Sequence, residues 1–250
     1  MEGDGQKRAR GLLVALDVEG KEVLVVGGGA VASRKATRLL EAGARVHVVS
    51  LDPIAARMSE LRERHGDVSV RVDERAFARE DLEGKALVFA ATDDAVVNGE
   101  VVRLARARGV FANSATIEPE GEAADFSLLA RVAHGGDGLE VGVHTAGGAP
   151  ALSVAFSRRL VRLLDDEEPA WGKMAPVLAC LRDAVKPRGT LSTRRAFWHA
   201  LIEALLARRS EGWETDRVLL VQVISAAANT HEIKLTQEEV DAALEASGMF

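Results

Sequence analysis

The segment Val23 to Leu40, VLVVGGGAVASRKATRLL, sets three consecutive glycines between a β-branched run and a helical pattern. A turn from a parallel strand into a helix leaves backbone N–H groups unpaired, and the helix macrodipole adds partial positive charge there. Phosphate is the natural ligand of such a turn. Gly27, Gly29 and Ala32 fit the spacing G-x-G-x-x-G/A. In that pattern the first glycine makes the turn, the second admits a pyrophosphate to the backbone, and the third small residue lets helix and strand pack. Gly28 adds freedom that the pattern does not require. A ligand-free tight turn is the alternative, but the place after a strand and at the head of a βαβ unit favours a dinucleotide. Gly27, Gly28, Gly29, Ala30 and Val31 are the first cofactor candidates.

A dinucleotide also needs a partner for its ribose, commonly an acid at the end of the second strand. The strand RVHVVS ends at Ser50, and Asp52 follows two residues on. Asp52 is expected to reach the ribose, or to cap the helix that Pro53 begins. No arginine follows directly to meet a 2′-phosphate, so NAD is favoured over NADP.

The elements around this loop follow from apolar runs. Strands are expected at 22–27, 45–50, 68–72, 86–91 and 110–112, with amphipathic helices at 31–42, 54–65 and 96–108. Short apolar strands separated by helices imply a parallel sheet covered on both faces. The fold class is therefore α/β, a Rossmann-type doubly wound sheet over residues 1–113. Residues 114–150 read as a small β segment, with a hairpin around HGGDG. Residues 151–250 read as a helical domain, with helices at 151–164, 169–185, 193–208, 216–228 and 237–246. Ser192 or Thr193 is expected to cap the third of these and Thr236 the last.

Composition excludes several function classes. A net charge of −6 argues against a general nucleic-acid binder. No apolar run is long enough for a membrane span, and the start MEGDGQKRARGLL lacks a signal-peptide core. The single cysteine, Cys180, permits neither an internal disulfide nor a cysteine-based metal cluster, and no metal site is read from the histidine spacing. A cytoplasmic protein is expected.

Four stretches together resemble a known family: VVGGGAVASRKATRLLEAGARVHVVS, then AATDDAVVN, then HTAGGAPALS, then RRAFWHALIE. They resemble the precorrin-2 dehydrogenase/sirohydrochlorin ferrochelatase family, found alone and as the N-terminal portion of siroheme synthases. The resemblance runs in order from about Leu12 to about Leu206. It implies NAD-dependent dehydrogenation of precorrin-2 to sirohydrochlorin, with insertion of ferrous iron as a further step in some members. It also implies a homodimer that dimerises through the β segment and takes a tetrapyrrole substrate.

The resemblance gives roles to further residues. Thr92, Asp93 and Asn98 follow the fourth strand, at the edge where such sheets bind ligands. They are cofactor candidates, with Thr92 or Asp93 doubling as a helix cap. Precorrin-2 is rich in carboxylates, so Arg34 and Lys35 of the first helix are candidate partners, although solvated helix faces are the bland reading for either. Thr145 matches a hydroxyl position of the family, and Gly147 and Gly148 admit a flat macrocycle. His144 stands where the family has a small polar residue.

One departure bears on mechanism. Family members carry an aspartate three residues after the asparagine that ends the fifth strand, regarded as the acid/base. Here that asparagine is Asn113 and the count reaches Thr116, which is no base at neutral pH. A longer loop follows, so Glu118, beside Pro119, is the first choice for the missing carboxylate, Asp125 the second and His144 a third proton carrier. The alternatives are an NAD- and tetrapyrrole-binding regulator impaired in catalysis, a chelatase only, or a dehydrogenase of a small substrate.

Overall fold

The computed structural model describes residues 12–51, 53–116, 124–134, 139–145, 149–164, 170–208, 211–212 and 216–248. Packing divides the described residues into two compact units, 12–128 and 129–248.

The first unit is a five-stranded sheet in the order β3-β2-β1-β4-β5, every pairing parallel. Its strands are β1 (Glu22–Val26), β2 (Arg45–Ser50), β3 (Val70–Glu74), β4 (Leu87–Ala90) and β5 (Phe111–Ser114). The helices α1 (Ala30–Glu41), α2 (Ala56–His65) and α3 (Ala95–Arg106) connect them, with a short 3₁₀ turn at Arg79–Leu82. Alternate residues of β1 feed two cores. Val23 and Val25 pack with Ala32, Ala36 and Leu39 of α1, whereas Leu24 and Val26 pack with Val101, Val102 and Ala105 of α3. Period-two alternation in a sheet covered on both faces leaves no polar side, and this is why β1 reads as a continuous apolar run. The α1 contact uses alanines at positions 32 and 36, both fully buried, which brings helix and strand close.

The order places β1 between β2 and β4, so chain direction across the sheet reverses at β1 and β4. Ligands of open α/β sheets bind at the carboxyl ends of the strands at that switch point.

The second unit joins an antiparallel hairpin, β6 (Ala130–His134) and β7 (Leu139–Val143), to five helices. These are α4 (Pro150–Arg162), α5 (Ala170–Val185), α6 (Leu191–Ala207), α7 (Arg217–Thr230) and α8 (Gln237–Ala246). Their core is apolar, with Val177 and Leu181 of α5, Phe197 and Leu201 of α6, Ile224 of α7 and Leu244 of α8 fully buried. Thr190, two to three residues earlier than expected, caps α6 by accepting from the Thr193 N–H, because Thr193 itself lies inside the first turn. Thr236 caps α8 as expected, with Glu239 returning the bond. Among the described residues no helix is long and apolar enough to cross a membrane.

Candidate functional site

The loop from β1 into α1 is held by its neighbours. Gly27 donates its N–H to the Val49 carbonyl, and the Gly28 carbonyl accepts from Ala55 N–H, both at 2.8 Å. Gly27 has φ of +116°, and a Cβ there would stand 2.4 Å from the Ala91 carbonyl oxygen. A Cβ on Gly28 would lie 2.8 Å from Ser50 Oγ. Both glycines are therefore demanded by the fold. Gly29 is different. Its φ is −77°, no side chain caps α1, and a Cβ there would meet nothing within 4 Å. The Gly29 carbonyl is held from behind by the N–H and hydroxyl of buried Ser33 at 3.0 and 3.1 Å. Nothing in the protein requires a glycine at this position, and Gly29 and Ala30 are exposed while Gly27 and Gly28 are buried. No acidic residue occupies the first turn of α1. A helix start with its positive end bare and a backbone open to close approach fits a pyrophosphate.

Beside it, the loop after β4 is organised by Asn98, which is fully buried. Its Oδ1 accepts from Thr92 N–H at 3.1 Å and Thr92 Oγ1 at 2.8 Å. Its Nδ2 donates to the Thr92 carbonyl at 3.0 Å and to Thr116 Oγ1 at 3.2 Å. All four hydrogen-bonding positions of the amide are thus used inside the domain. Asn98, expected among the cofactor contacts, instead fixes the two loops that end β4 and β5. The cap of α3 is Asp94, not Thr92 or Asp93, with Oδ1 accepting from Val96 and Val97 N–H. Asp93 is exposed beside it. Thr116 Oγ1 also lies 3.2 Å from Ser114 Oγ, so this hydroxyl belongs to a polar cluster at the end of β5.

On the α1 face of the sheet, Lys35 turns inward. Its ammonium donates to Asn113 Oδ1 and lies 5.1 Å from the Phe89 ring centroid. Burial lowers its pKa to about 8, with Arg34 and Arg38 adding repulsion. Lys35 is therefore committed within the domain, whereas Arg34 is exposed. Asn113 in turn donates Nδ2 to the Phe126 carbonyl at 2.7 Å, and the Phe126 ring meets Phe89 edge-on at 5.3 Å.

Asp125 is structural in its contacts. Its Oδ1 accepts from Arg106 Nε at 2.7 Å, its Oδ2 from Ala112 N–H at 2.9 Å, and its own N–H donates to the Ala112 carbonyl at 2.8 Å. Both carboxylate oxygens are spent on holding the chain against β5. These bonds give Asp125, the second choice for an acid/base, a structural role. Ser50 is buried against Gly28, where no side chain of an ordinary residue fits.

In the other unit, Thr145 Oγ1 lies 3.0 Å from Ser153 Oγ in the first turn of α4, and His144 is exposed. Asp52, Glu118, Gly147 and Gly148 lie outside the described residues. Among the described residues no group of three or more His, Cys, Asp or Glu side chains is placed to hold a metal ion.

This geometry has known relatives. Residues 14–126 match a family described as putative NAD(P)-binding. Siroheme synthase 1 of Serratia proteamaculans is 37% identical over 190 residues, covering 75% of this chain and 37% of that protein. A siroheme synthase of Methylobacillus flagellatus is 36% identical over 227 residues, covering 88% of this chain and 45% of that protein. The solved structure titled SirC, precorrin-2 dehydrogenase, shares the fold with a TM-score of 0.62 at 21% identity, covering 87% of this chain and 99% of that one. Over most of its length the chain is similar to the siroheme synthases, and its first domain matches the putative NAD(P)-binding family. It spans less than half the length of the two siroheme synthases it matches. The bare start of α1 lies within the residues matched by the putative NAD(P)-binding family, in keeping with a nicotinamide dinucleotide as its ligand class.

Sequence reasoning missed the inward turn of Lys35. The signal was present: Lys35 lies three residues after Ala32 and four before Leu39, which places it on the buried face of α1.

Proposed function

We propose that this chain is an NAD-dependent precorrin-2 dehydrogenase acting in the cytoplasm in siroheme biosynthesis, with insertion of ferrous iron as a second activity. The observation that carries the reading is Gly29, a glycine the fold does not need at a helix start that nothing caps. The Gly27–Val31 backbone would hold the pyrophosphate, Thr92 would contact the cofactor from the loop that Asn98 fixes, and Asp52 would take the ribose. NAD held there would supply the acceptor for the hydride. The chain must orient the macrocycle and accept the proton that leaves it. With both oxygens of Asp125 engaged, Glu118 is the carboxylate we assign to that proton. Arg34 and Thr145 are assigned to the substrate's carboxylates and ring. The homodimer reading is supported by α4, where Leu152 (60%), Phe156 (54%) and Val161 (38%) are exposed on a helix buried along one narrow stripe. Apolar surface of this extent on one helix commonly marks a contact with another chain.

A second reading is favoured by Thr116, whose hydroxyl is bound to Asn98 and Ser114 at the position the family gives to its acid/base. In that reading the chain binds NAD and tetrapyrrole without turnover. Anaerobic incubation with precorrin-2 and NAD decides between them. The sirohydrochlorin spectrum with stoichiometric NADH is the expected result, and binding of both ligands without that spectrum establishes the regulator instead.

A further inference from the structure

The helical unit carries a cleft that the dehydrogenase reading does not use. Two adjoining cavities, of about 680 and 270 Å3, open beside the turn from α5 into α6. The walls of the smaller bring together Arg182 and Lys186 from the end of α5 with Arg194 and Arg195 from the start of α6, and Leu191 and Arg195 line both. The floor is apolar, with Leu191 69% exposed and Trp198 half-buried beside it. Among the described residues no carboxylate lines either cavity.

Helix ends explain only half of this charge. Arg182 and Lys186 sit at a helix C-terminus, where cations are stabilised by the macrodipole. Arg194 and Arg195 sit near a helix N-terminus, where cations are destabilised by the same field. That first turn holds no acid to offset them. Ion pairing does not explain them either: among the described residues Arg182, Lys186 and Arg195 have no ion pair, whereas neighbouring Arg188 is committed to Glu239. Arg194 is held in place instead, its Nη1 donating to the carbonyls of Arg188 and Gly189 at 3.2 and 3.0 Å. A chain of net charge −6 thus concentrates unpaired positive charge around an open apolar floor.

We propose that this cleft is a second binding site for a carboxylate-rich aromatic macrocycle, built from residues other than those of the nucleotide loop. Guanidinium groups bind carboxylates through paired, charge-assisted hydrogen bonds. Leu191 and Trp198 offer the ring an apolar contact, and the larger, adjoining cavity falls within the range of small-molecule sites. The choice of a macrocycle among polycarboxylates rests on the function proposed above; the anion site itself does not.

The test is titration of the full-length chain with uroporphyrin I, an octacarboxylate, by calorimetry at low and high salt. The Lys186→Glu/Arg195→Glu double variant is compared, with Lys186→Gln/Arg195→Gln as a milder partner. Both residues are exposed, so the fold should survive, and NAD affinity serves as the check. Two macrocycles bound per wild-type chain and one per charge-reversed chain is the expected result. The lost site should weaken by at least about tenfold, less in the glutamine variant, and should fade with salt. One macrocycle falling to none upholds the cleft and removes the tetrapyrrole reading of the other site. Unchanged stoichiometry and affinity in both variants overturns the proposal. So does inorganic pyrophosphate displacing the macrocycle at equal concentration, since the site would then select charge alone.

Discussion

Asn98 and Thr92 are joined by three hydrogen bonds, two accepted by the asparagine Oδ1 and one donated by its Nδ2. The fourth valence of the amide reaches Thr116 on the neighbouring loop. One side chain thereby sets the spacing between the ends of β4 and β5. Asn98→Ala leaves buried donors and acceptors unmatched, and should destabilise the domain by about 2–3 kcal/mol. Urea unfolding should show it, together with weaker NAD binding. An Asn98→Ala protein as stable as wild type would mean that water or backbone replaces the amide.

Two adjacent glycines should separate folding from binding. Gly27→Ala forces a Cβ against the Ala91 carbonyl at a positive φ, and should cost at least about 2 kcal/mol. Gly29→Val meets nothing and keeps an extended backbone, so stability should stay within about 1 kcal/mol of wild type. Calorimetry should nevertheless find NAD binding lost in Gly29→Val. Retained affinity would remove the pyrophosphate from this loop.

NAD should bind more tightly than NADP, because no arginine directly follows β2 to receive a 2′-phosphate. Parallel titrations check this, and a preference for NADP would dismiss the role assigned to Asp52.

Lys35 gives a pH dependence whose sign is fixed. Its pKa in the folded state is about 8, below the ordinary 10.5, so between those values the unfolded chain binds the extra proton. Stability from this group therefore rises with pH through that window and is lost as pH falls through about 8. Denaturant midpoints from pH 7.5 to 10 should climb more steeply in wild type than in Lys35→Met. Parallel slopes would show that the ammonium is solvated.

The two candidate carboxylates should part cleanly. Asp125→Asn weakens the hold on Arg106 and on Ala112 N–H, and should cost about 1–2 kcal/mol in stability with turnover little changed. Glu118→Gln should slow turnover by about 10²–10⁴-fold at constant NAD affinity. Full activity in Glu118→Gln with loss in Asp125→Asn would reverse the assignment.

Much of the nucleotide domain was legible in the sequence because its signals are local. Continuous apolar strands, alternating helices and the glycine spacing all depend on neighbours in the chain, and they located β1, β2, β4 and α1 within a residue or two. The polar contacts were less legible, because they join residues far apart in the chain. Lys35 and Asn113 are 78 residues apart, and Thr116 meets Asn98 across 18. Caps fell between these extremes. Thr236 showed itself through Glu239 three residues on, whereas α6 reads as capped by Ser192 or Thr193 and its cap is Thr190, which accepts from the Thr193 N–H.

The segment after β5 is pinned at both of its ends. Thr116 is tied to Ser114 and Asn98, and Asp125 and Phe126 are tied to Ala112 and Asn113 on the same strand. Chain between two fixed posts can lengthen at little thermodynamic cost, since closure entropy grows only logarithmically with length. A lineage can therefore rewrite the residues between the posts, and move an acid from one place to another, without disturbing the sheet. Chemistry at this edge is interchangeable in a way that the strand beneath it is not.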